Sequence, residues 1–285
     1  MDRSEGYAKD VLVTSEWLDE HRDDEGLRIV EVDEDPAAYA KAHIPGAIGF
    51  DWRRELQDQV RRDLLDRESF AKLVGSRGIS SEHTVVAYGD RHNWFAAYAY
   101  WCFRYFGHDA VKLLDGGRDA WIAEGRETGT DPAAHPPARF EAAPADESIR
   151  ARRDEVLAAL GGACRLVDVR SRLEFTGELV AMTGYEQEGA LRGGHIPGAV
   201  LVPWSDATAD DGRFLPAAEL RRVYDEAGVT GAGAPIIAYC RIGERSAHTW
   251  FVLSELLGEA DVKNYDGSWT EWGNLVGVPI EIGGR

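Results

Sequence analysis

The sequence predicts two α/β domains of the same fold, each a mostly parallel sheet flanked by helices. Three observations lead to this prediction. The chain has 285 residues, which is enough for two domains of ordinary size. Four sequence blocks occur in the same order in both halves. Within each half, short apolar runs alternate with amphipathic helical patterns, which is typical of parallel strands joined by helices.

The four repeated blocks indicate a duplication. IVEVDE returns as LVDVRS, AHIPGAIGFDW as GHIPGAVLVPW, TVVAYG as PIIAYC, and VKLLDGGRDAW as VKNYDGSWTEW. Chance does not preserve the order of four such blocks. We therefore predict one domain over residues 1–126, a second over 150–285, and a linker over the Pro- and Ala-rich segment 127–149.

The second copy shows its elements most clearly. Strand-like runs fall at 165–169, 199–202, 236–239 and 262–264, and helical spacing falls at 215–227 and 246–257. In the first copy, the aromatic run 94–106 predicts a buried helix, because aromatic side chains occupy nearly every face of it. In parallel sheets the functional crevice lies beyond the carboxyl ends of the strands, and Cys240 directly follows the strand-like run 236–239.

Composition excludes several classes of function. The net charge of −18 argues against nucleic acid or an anionic membrane as a partner, since both need a cationic surface. The most apolar run is too short to span a bilayer. Three cysteines without paired spacing exclude a disulfide scaffold and a Cys-rich zinc site, and the scattered histidines indicate no metal centre. Sparse cysteine and an N-terminus without a signal-like pattern predict a cytoplasmic protein.

The loop CRIGERS, which begins at Cys240, is the strongest candidate for chemistry. A loop that wraps around the sulfur and leads into a helix directs backbone N–H groups at it, and Gly243 supplies the backbone freedom that the wrap needs. These features favour the thiolate, which is the nucleophilic form. Arg241 and Arg245 add full positive charges, which we predict to act either on the sulfur or on a substrate anion. The other active-loop candidates are Ile242, Gly243, Glu244 and Ser246.

The first copy serves as an internal control for Cys240. It has Gly89 at the matching position, followed by DRHNW in place of RIGERS. The fold therefore does not require the thiol, which makes a functional role for Cys240 the better interpretation. Cys102, inside the aromatic run, and Cys164, which precedes a strand and has no charged loop around it, are interpreted as structural.

These blocks together resemble a two-domain rhodanese, a thiosulfate sulfurtransferase, over essentially the whole chain. CRIGERS and KNYDGSWTEWG are especially similar to the actinobacterial members. The resemblance implies a silent first domain, a catalytic second domain and no cofactor. It also implies a double displacement: Cys240 takes the outer sulfur of a small anionic donor as a persulfide, and cyanide or a thiol acceptor then removes it.

Two positions depart from the vertebrate pattern of that family. Ile242 stands where a Lys follows the Arg, and Glu174 aligns with a substrate-binding Arg. The mercaptopyruvate branch typically has Gly directly after the catalytic Cys, so Arg241 favours the thiosulfate branch. Mercaptopyruvate sulfurtransferase remains an alternative.

Two rival functions come from other classes. An arginine–cysteine phosphatase or an arsenate reductase also places Cys at a strand end and Arg at a helix start. Here Cys240 and Arg245 enclose four residues, whereas the phosphatase signature encloses five, and the smaller ring suits a single sulfur. A non-catalytic sulfur carrier needs the same loop and stays open.

Other polar residues are expected to support the site. His43 and His195 occupy matching places in both copies, which indicates a structural role before each PGA sequence. His248 is expected to pack within its helix, with a proton-donor role as the alternative. Outside the loop, the expected bracing residues are Asp168, Arg170, Asp266 and Ser268.

Overall fold

The computed structural model describes residues 6–162, 164–185, 188–231 and 233–284. They form two compact units. The first unit consists of Val11–Asp146 and Thr208–Phe214. The second consists of Glu147–Ala207, the residues from Leu215 onward, and the described residues up to Asp10. Each unit carries one copy of the duplicated sequence.

The first unit is a five-stranded parallel sheet with helices between its strands. Its spatial order is β1-β5-β4-β2-β3. The strands are β1 (Leu12–Val13), β2 (Leu27–Glu31), β3 (Ile48–Gly49), β4 (Thr84–Tyr88) and β5 (Val111–Leu114). The helices are α1 (Ser15–His21), α2 (Ala38–Lys41), α3 (Trp52–Glu55), α4 (Arg67–Ser76), α5 (Trp94–Tyr105) and α6 (Gly117–Ala123).

The second unit repeats this architecture with four parallel strands in the order β7-β6-β8-β9. The strands are β6 (Arg165–Asp168), β7 (Val200–Leu201), β8 (Ile236–Tyr239) and β9 (Val262–Tyr265). The helices are α7 (Arg153–Ala159), α8 (Arg172–Thr176), α9 (Ala217–Glu226), α10 (Glu244–Trp250) and α11 (Ser268–Trp272). The predicted fold class, two α/β domains with parallel sheets and flanking helices, is confirmed.

The predicted elements of the second copy are present with small differences in length. The predicted helix 215–227 is α9, which starts after Pro216 because proline has no backbone N–H for a helix interior. The predicted helix 246–257 begins two residues earlier, as α10, and continues as a π-helix over Phe251–Leu256. In the first copy, α5 is buried along almost its whole length, as its aromatic pattern predicted.

Matching tyrosines show the duplication at the level of single contacts. Tyr88 ends β4, and its hydroxyl accepts the backbone N–H of Ile44 in the first IPGA sequence over 2.9 Å. Tyr239 ends β8, and its hydroxyl accepts the N–H of Ile196 in the second over 3.1 Å. In both units, the tyrosine at the carboxyl end of an inner strand therefore holds the loop that contains the repeated motif.

The segment predicted as a linker, 127–149, contains no helix or strand up to a short 3₁₀ turn at Glu147–Ile149. Backbone hydrogen bonds from Ala138 to Gly75 and from Ala143 to Phe106 tie it to the first unit. Among the described residues, no helix is long and apolar enough to cross a membrane.

Candidate active site

Cys240 lies at the carboxyl edge of the second sheet, where the sequence predicted it. β8 ends at Tyr239, in register with Asp168 at the end of the neighbouring strand β6. The backbone of Cys240 is held on both sides. Its N–H donates to Ser268 Oγ over 3.0 Å, and its carbonyl accepts the N–H of Trp269 over 3.1 Å. The Cys240 side chain is completely buried.

Ser268 holds Cys240 from an uncommon backbone conformation. Its φ is +50°, which a residue other than glycine adopts only when the surroundings compensate the strain. The compensation is visible: its hydroxyl donates to the carbonyl of Tyr265 over 2.6 Å and accepts from Cys240. A direct hydrogen bond to Cys240 therefore supports the predicted bracing role of Ser268.

Gly243 is the residue that lets the loop wrap around the sulfur. Its φ is +103°, and its N–H donates to Cys240 Sγ over 3.1 Å. A Cβ at this position would lie 2.8 Å from both the Cα and the Cβ of Asp266. Only glycine fits here, for conformational and steric reasons together. Ile242, which precedes it, is buried.

Glu244 places a carboxylate against the sulfur of Cys240. Its Oε2 lies 3.6 Å from Cys240 Sγ, which donates to it as a thiol, and its other oxygen accepts a hydrogen bond from Arg241 Nη2 over 2.8 Å. Glu244 is 1% exposed. The sequence placed Glu244 in the active loop but did not predict that it faces the sulfur.

Arg241 is held in place by four neighbours. Besides Glu244, its Nε lies 3.3 Å from Glu188 Oε2, and Nη1 donates to Met182 Sδ over 3.4 Å. The guanidinium carbon lies 3.7 Å from the ring centroid of Tyr185, which is a cation–π contact. A cation that is held this firmly has a fixed position next to the thiol.

Arg245 forms a buried ion pair with Glu174. Its two terminal nitrogens donate to the two carboxylate oxygens of Glu174 over 3.0 and 2.9 Å. Burial alone would raise the pKa of Glu174, but the guanidinium overcomes this and holds the pKa at about 2. Burial lowers the pKa of Arg245, and Glu174 in turn raises it above its ordinary value. Both groups are therefore charged at neutral pH.

The residue that departs from the vertebrate pattern thus has a clear structural role. Glu174 also caps α8, because its Oε2 accepts the N–H of Ser171 over 3.0 Å while Ser171 Oγ caps the N–H of Glu174. It connects the start of α8 to the start of α10. The assignment of Arg241 and Arg245 to a substrate anion stays a prediction.

A buried polar network fixes the start of α10. Ser246 Oγ donates to Asn264 Oδ1 over 2.6 Å, and Asn264 Nδ2 donates to the carbonyl of Gly243 over 3.0 Å. Because Asn264 belongs to β9, the loop is tied to the strand next to β8. The loop is therefore preorganised rather than loosely attached.

Asp168 and Arg170 form a buried pair at the end of β6. Arg170 Nη2 donates to Asp168 Oδ2 over 2.6 Å and to the carbonyl of Gly194 over 2.7 Å. The guanidinium carbon lies 4.4 Å from the ring centroid of Trp269, whose N–H holds the carbonyl of Cys240. Arg170 thus supports Cys240 at the end of β8 through Trp269.

Asp266 is fixed by Arg150, which donates to its two oxygens over 2.8 and 2.7 Å. Because Gly243 packs directly on the Cα and Cβ of Asp266, this ion pair fixes the residue against which the loop packs. The contacts of Asp266 agree with the bracing that its position after β9 suggested.

The histidines have structural contacts. His43 Nδ1 lies 2.8 Å from the carbonyl of Tyr39, and its ring stacks on that side chain. His195 Nδ1 lies 2.9 Å from the carbonyl of Phe175 and stacks on it likewise. The predicted structural role of this pair is confirmed. His248 is fully buried in α10 and packs edge-on against Trp204, in line with a packing role.

The first unit has no room for a side chain at the position that matches Cys240. A Cβ on Gly89 would lie 2.1 Å from the carbonyl oxygen of Val32. The N–H of Gly89 is taken up by Asn93 Oδ1 over 2.9 Å. Three residues in a row, Arg91 to Asn93, have positive φ. The loop after β4 therefore differs in conformation from the CRIGERS loop.

The other two cysteines lie away from this geometry. Cys102 is buried in α5. Cys164 precedes β6 and is half-buried, and burial raises the pKa of its thiol, which disfavours the thiolate. Both observations agree with the structural interpretation of these residues.

Glu188, Tyr185 and Met182 are the site residues that the sequence did not reveal. They lie in an irregular segment between α8 and the second IPGA sequence, which carries no periodic pattern. For Glu188, complementary charge was the available signal, because arginines that fold into a buried loop need carboxylates from elsewhere in the chain.

The comparisons with known proteins agree with this geometry. The model of the rhodanese-like domain family matches the chain twice, over residues 14–124 and 152–275. Each match lies in one half of the chain and contains one copy of the repeated blocks.

Relatives of known sequence are similar over nearly the whole chain. The sulfur carrier protein TtuD of Thermus thermophilus is 54% identical over 98% of this chain and 99% of its own. A Mycobacterium bovis protein named "Putative thiosulfate sulfurtransferase 1" is 54% identical over 96% of this chain and 98% of its own.

Solved structures share the fold. SseA of Escherichia coli, described as a 3-mercaptopyruvate sulfotransferase, has a TM-score of 0.78 at 26% identity and covers 90% of this chain and 98% of its own. An anaerobic ergothioneine biosynthesis enzyme of Chlorobium limicola has a TM-score of 0.83 at 25% identity, over 96% of this chain and 70% of its own. The chain belongs to the rhodanese family, whose domains are sulfurtransferases.

Proposed function

We propose that the protein is a thiosulfate sulfurtransferase that carries sulfane sulfur on Cys240. The observation that supports this most directly is the environment of the thiol. Cys240 directly follows a buried strand, accepts the N–H of Gly243 at its sulfur, and has Gly89 as its counterpart in the first repeat. An N–H directed at sulfur stabilises the anionic form that attacks or carries a sulfur atom.

In the first half-reaction, the Cys240 thiolate attacks the outer sulfur of thiosulfate. The new bond joins Cys240 Sγ to that sulfur, the S–S bond of thiosulfate breaks, and its electron pair leaves with sulfite. The persulfide anion that remains lies in the loop 241–246, whose backbone N–H groups offset its charge.

In the second half-reaction, a nucleophilic acceptor attacks the outer sulfur of the persulfide. The bond to Cys240 Sγ breaks, and its electron pair returns to Cys240 as thiolate. Cyanide leaves as thiocyanate, and a thiol acceptor leaves as its own persulfide. Sulfur is the group that is carried, so both steps are complete without a cofactor.

Arg241 and Arg245 support an anionic donor in this scheme. Both guanidiniums are buried in the same loop as the nucleophile, and each is oriented by a carboxylate. Guanidinium groups suit the oxygens of a sulfonate because their donors lie in one plane at a fixed spacing. We assign the donor to Arg241 and Arg245 on this basis.

The expected partners are small molecules in a reducing compartment. A net charge of −18 disfavours nucleic acid and anionic membranes, and the sparse cysteine content suits the cytoplasm. A sulfur carrier that delivers to a protein thiol is the second candidate, since the relative from Thermus thermophilus carries that name. Mercaptopyruvate is the alternative donor, and Arg241 directly after Cys240 argues for thiosulfate.

The test is the mass of the intact protein after incubation with a donor. We expect thiosulfate to add one sulfur atom to the wild type, and cyanide to remove it as thiocyanate. Cys240→Ser should gain nothing and keep its melting temperature, whereas Cys164→Ser should load like the wild type. Loading by mercaptopyruvate alone would replace thiosulfate as donor, and loading without release to cyanide would favour the carrier.

A further inference from the structure

The active loop contains a carboxylate that the reaction above does not use. Glu244 Oε2 lies 3.6 Å from Cys240 Sγ in a position from which solvent is excluded. Two anions at this distance repel each other strongly where water cannot screen them. The contact is favourable when one proton lies between the two groups, which is the hydrogen bond that the structure contains.

We propose that Glu244 is a catalytic residue, the base that takes the thiol proton of Cys240 when the sulfur attacks the donor. The proposal rests on the proposed function and deepens it. It gives a role to a side chain that neither the resemblance nor the comparisons assign.

The neighbours of Glu244 fix the direction in which its carboxylate points. Arg241 bonds the far oxygen, Oε1, over 2.8 Å and leaves Oε2 toward the sulfur. Arg241 is itself held by Glu188 and by the ring of Tyr185, so it does not swing freely. A general base needs this kind of fixed approach to the proton that it abstracts.

Protons and charges balance over both half-reactions. In the first, the Cys240 S–H bond breaks, the proton moves to Glu244 Oε2, and the thiolate takes the outer sulfur of thiosulfate while sulfite leaves as a dianion. Glu244 is then neutral beside the persulfide anion. In the second, the acceptor takes the outer sulfur, the electron pair returns to Cys240 Sγ, and Glu244 gives the proton back.

This route also removes an electrostatic difficulty. The persulfide forms as an anion inside a loop that already contains a carboxylate. Once Glu244 holds the proton it is uncharged, and it donates a hydrogen bond to the persulfide where it would otherwise repel it. The same proton stays on Glu244 while the persulfide is charged and returns to Cys240 when the acceptor has taken the outer sulfur.

Several charged groups surround Glu244 and enter the pH dependence. Arg241 lies in the same loop, and Arg245 follows on α10 with its partner Glu174 on α8. Glu188 reaches Arg241 from the irregular segment, Asp266 underlies Gly243, and His248 lies one turn further along α10. The test must therefore isolate Glu244 from these groups.

The test measures single-turnover loading of Cys240 by thiosulfate, as release of sulfite, from about pH 5 to about pH 9. In Glu244→Gln the shape and the bond from Arg241 are kept, but no base remains. At neutral pH we expect loading to slow by about 100-fold or more. Its rate should rise with pH, because without the base only thiol that solvent has already ionised can attack. The solvent deuterium isotope effect of the wild type should disappear as well.

Two further variants separate catalysis from structure. Glu244→Asp keeps a base on a shorter arm and should recover part of the rate together with the pH profile of the wild type. Glu219→Gln changes an exposed glutamate on α9 and should behave like the wild type. A merely structural role would lower the rates of Glu244→Gln and Glu244→Asp alike and leave their pH profiles unchanged, which would overturn the proposal.

A wrong function and a wrong role for Glu244 would give different experimental results. If the wild type is loaded by no donor at any pH, the proposed function is wrong and the role of Glu244 falls with it. If the wild type is loaded and Glu244→Gln matches it in rate and pH profile, only the role of Glu244 is wrong.

Discussion

The ion pair between Glu174 and Arg245 allows a quantitative prediction about stability. Replacing Glu174 with Ala leaves the Arg245 guanidinium buried without its carboxylate. Removal of one partner from a buried pair costs about 3–5 kcal/mol, because the remaining charge is kept from water and has lost the opposite charge that offset its desolvation. The same carboxylate caps α8 through Ser171, and loss of such a cap costs about 1 kcal/mol more.

The assay is thermal unfolding followed by calorimetry. For a unit of this size, 1 kcal/mol shifts the melting temperature by about 2–4 °C, so Glu174→Ala should lower that of the second unit by roughly 15 °C. Glu178→Ala is the matched control. Glu178 lies two residues beyond the end of α8 and is exposed, so its removal should cost less than about 0.5 kcal/mol.

A double variant tests the reasoning itself. Replacing Glu174 with Leu and Arg245 with Met removes both charges and should cost much less than Glu174→Ala alone. A cost from the unpaired buried charge is refuted if Glu174→Ala melts at the temperature of the Glu178→Ala control, or if the double variant is destabilised at least as much as Glu174→Ala.

The pH dependence of the same pair has a definite sign. The pKa of Glu174 is held at about 2, below its unfolded value of about 4.3. The pair therefore contributes its full stability above about pH 4, and the contribution is lost as pH falls toward about 2. The stability difference between wild type and Glu174→Gln should narrow over this window and stay constant above it.

Three further predictions concern the backbone and the first unit. Gly243→Ala brings a Cβ within 2.8 Å of Asp266 at a φ of +103°, so sulfur loading should fall at least tenfold and the melting temperature should drop; unchanged loading would contradict the role of the loop. Gly89→Cys should not create a second site, because its Cβ would lie 2.1 Å from the carbonyl oxygen of Val32. We expect a destabilised protein that loads no second sulfur atom. A mass gain of two sulfur atoms after incubation with thiosulfate would disprove this prediction. Burial raises the pKa of Asp90 to about 7, so the folded state keeps a proton that the unfolded state loses, and stability should fall between about pH 4 and pH 7. Asp90→Asn should flatten that part of the plot of unfolding free energy against pH. Parallel plots for the wild type and Asp90→Asn would contradict this prediction.

Much of the fold could be predicted from the sequence, because its signals are local. The repeated blocks, the apolar runs and the position of Cys240 after β8 depend on short patterns that the structure repeats in both units. The roles of His43 and His195 followed from their presence in both copies. Helix and strand ends were less certain, since Pro216 and the π-helix after α10 shift them by local geometry.

The electrostatics of the site could not be predicted in the same way. CRIGERS suggested a cationic cradle for a thiolate, whereas the structure pairs Arg245 with Glu174 and Arg241 with Glu188 and Glu244. Two of these carboxylates lie 71 and 53 positions away in the sequence from their arginines, counted as 245 − 174 and 241 − 188.

By itself the sequence determined the duplication and the α/β architecture, and it singled out Cys240 as the candidate nucleophile. Only the tertiary structure decided which carboxylate neutralises which arginine, and that Glu244 faces the sulfur. The physical reason is that strand and helix patterns are encoded by neighbours along the chain. The charge around a buried sulfur is instead set by side chains that folding brings together, at distances of a few ångströms where the dielectric is low.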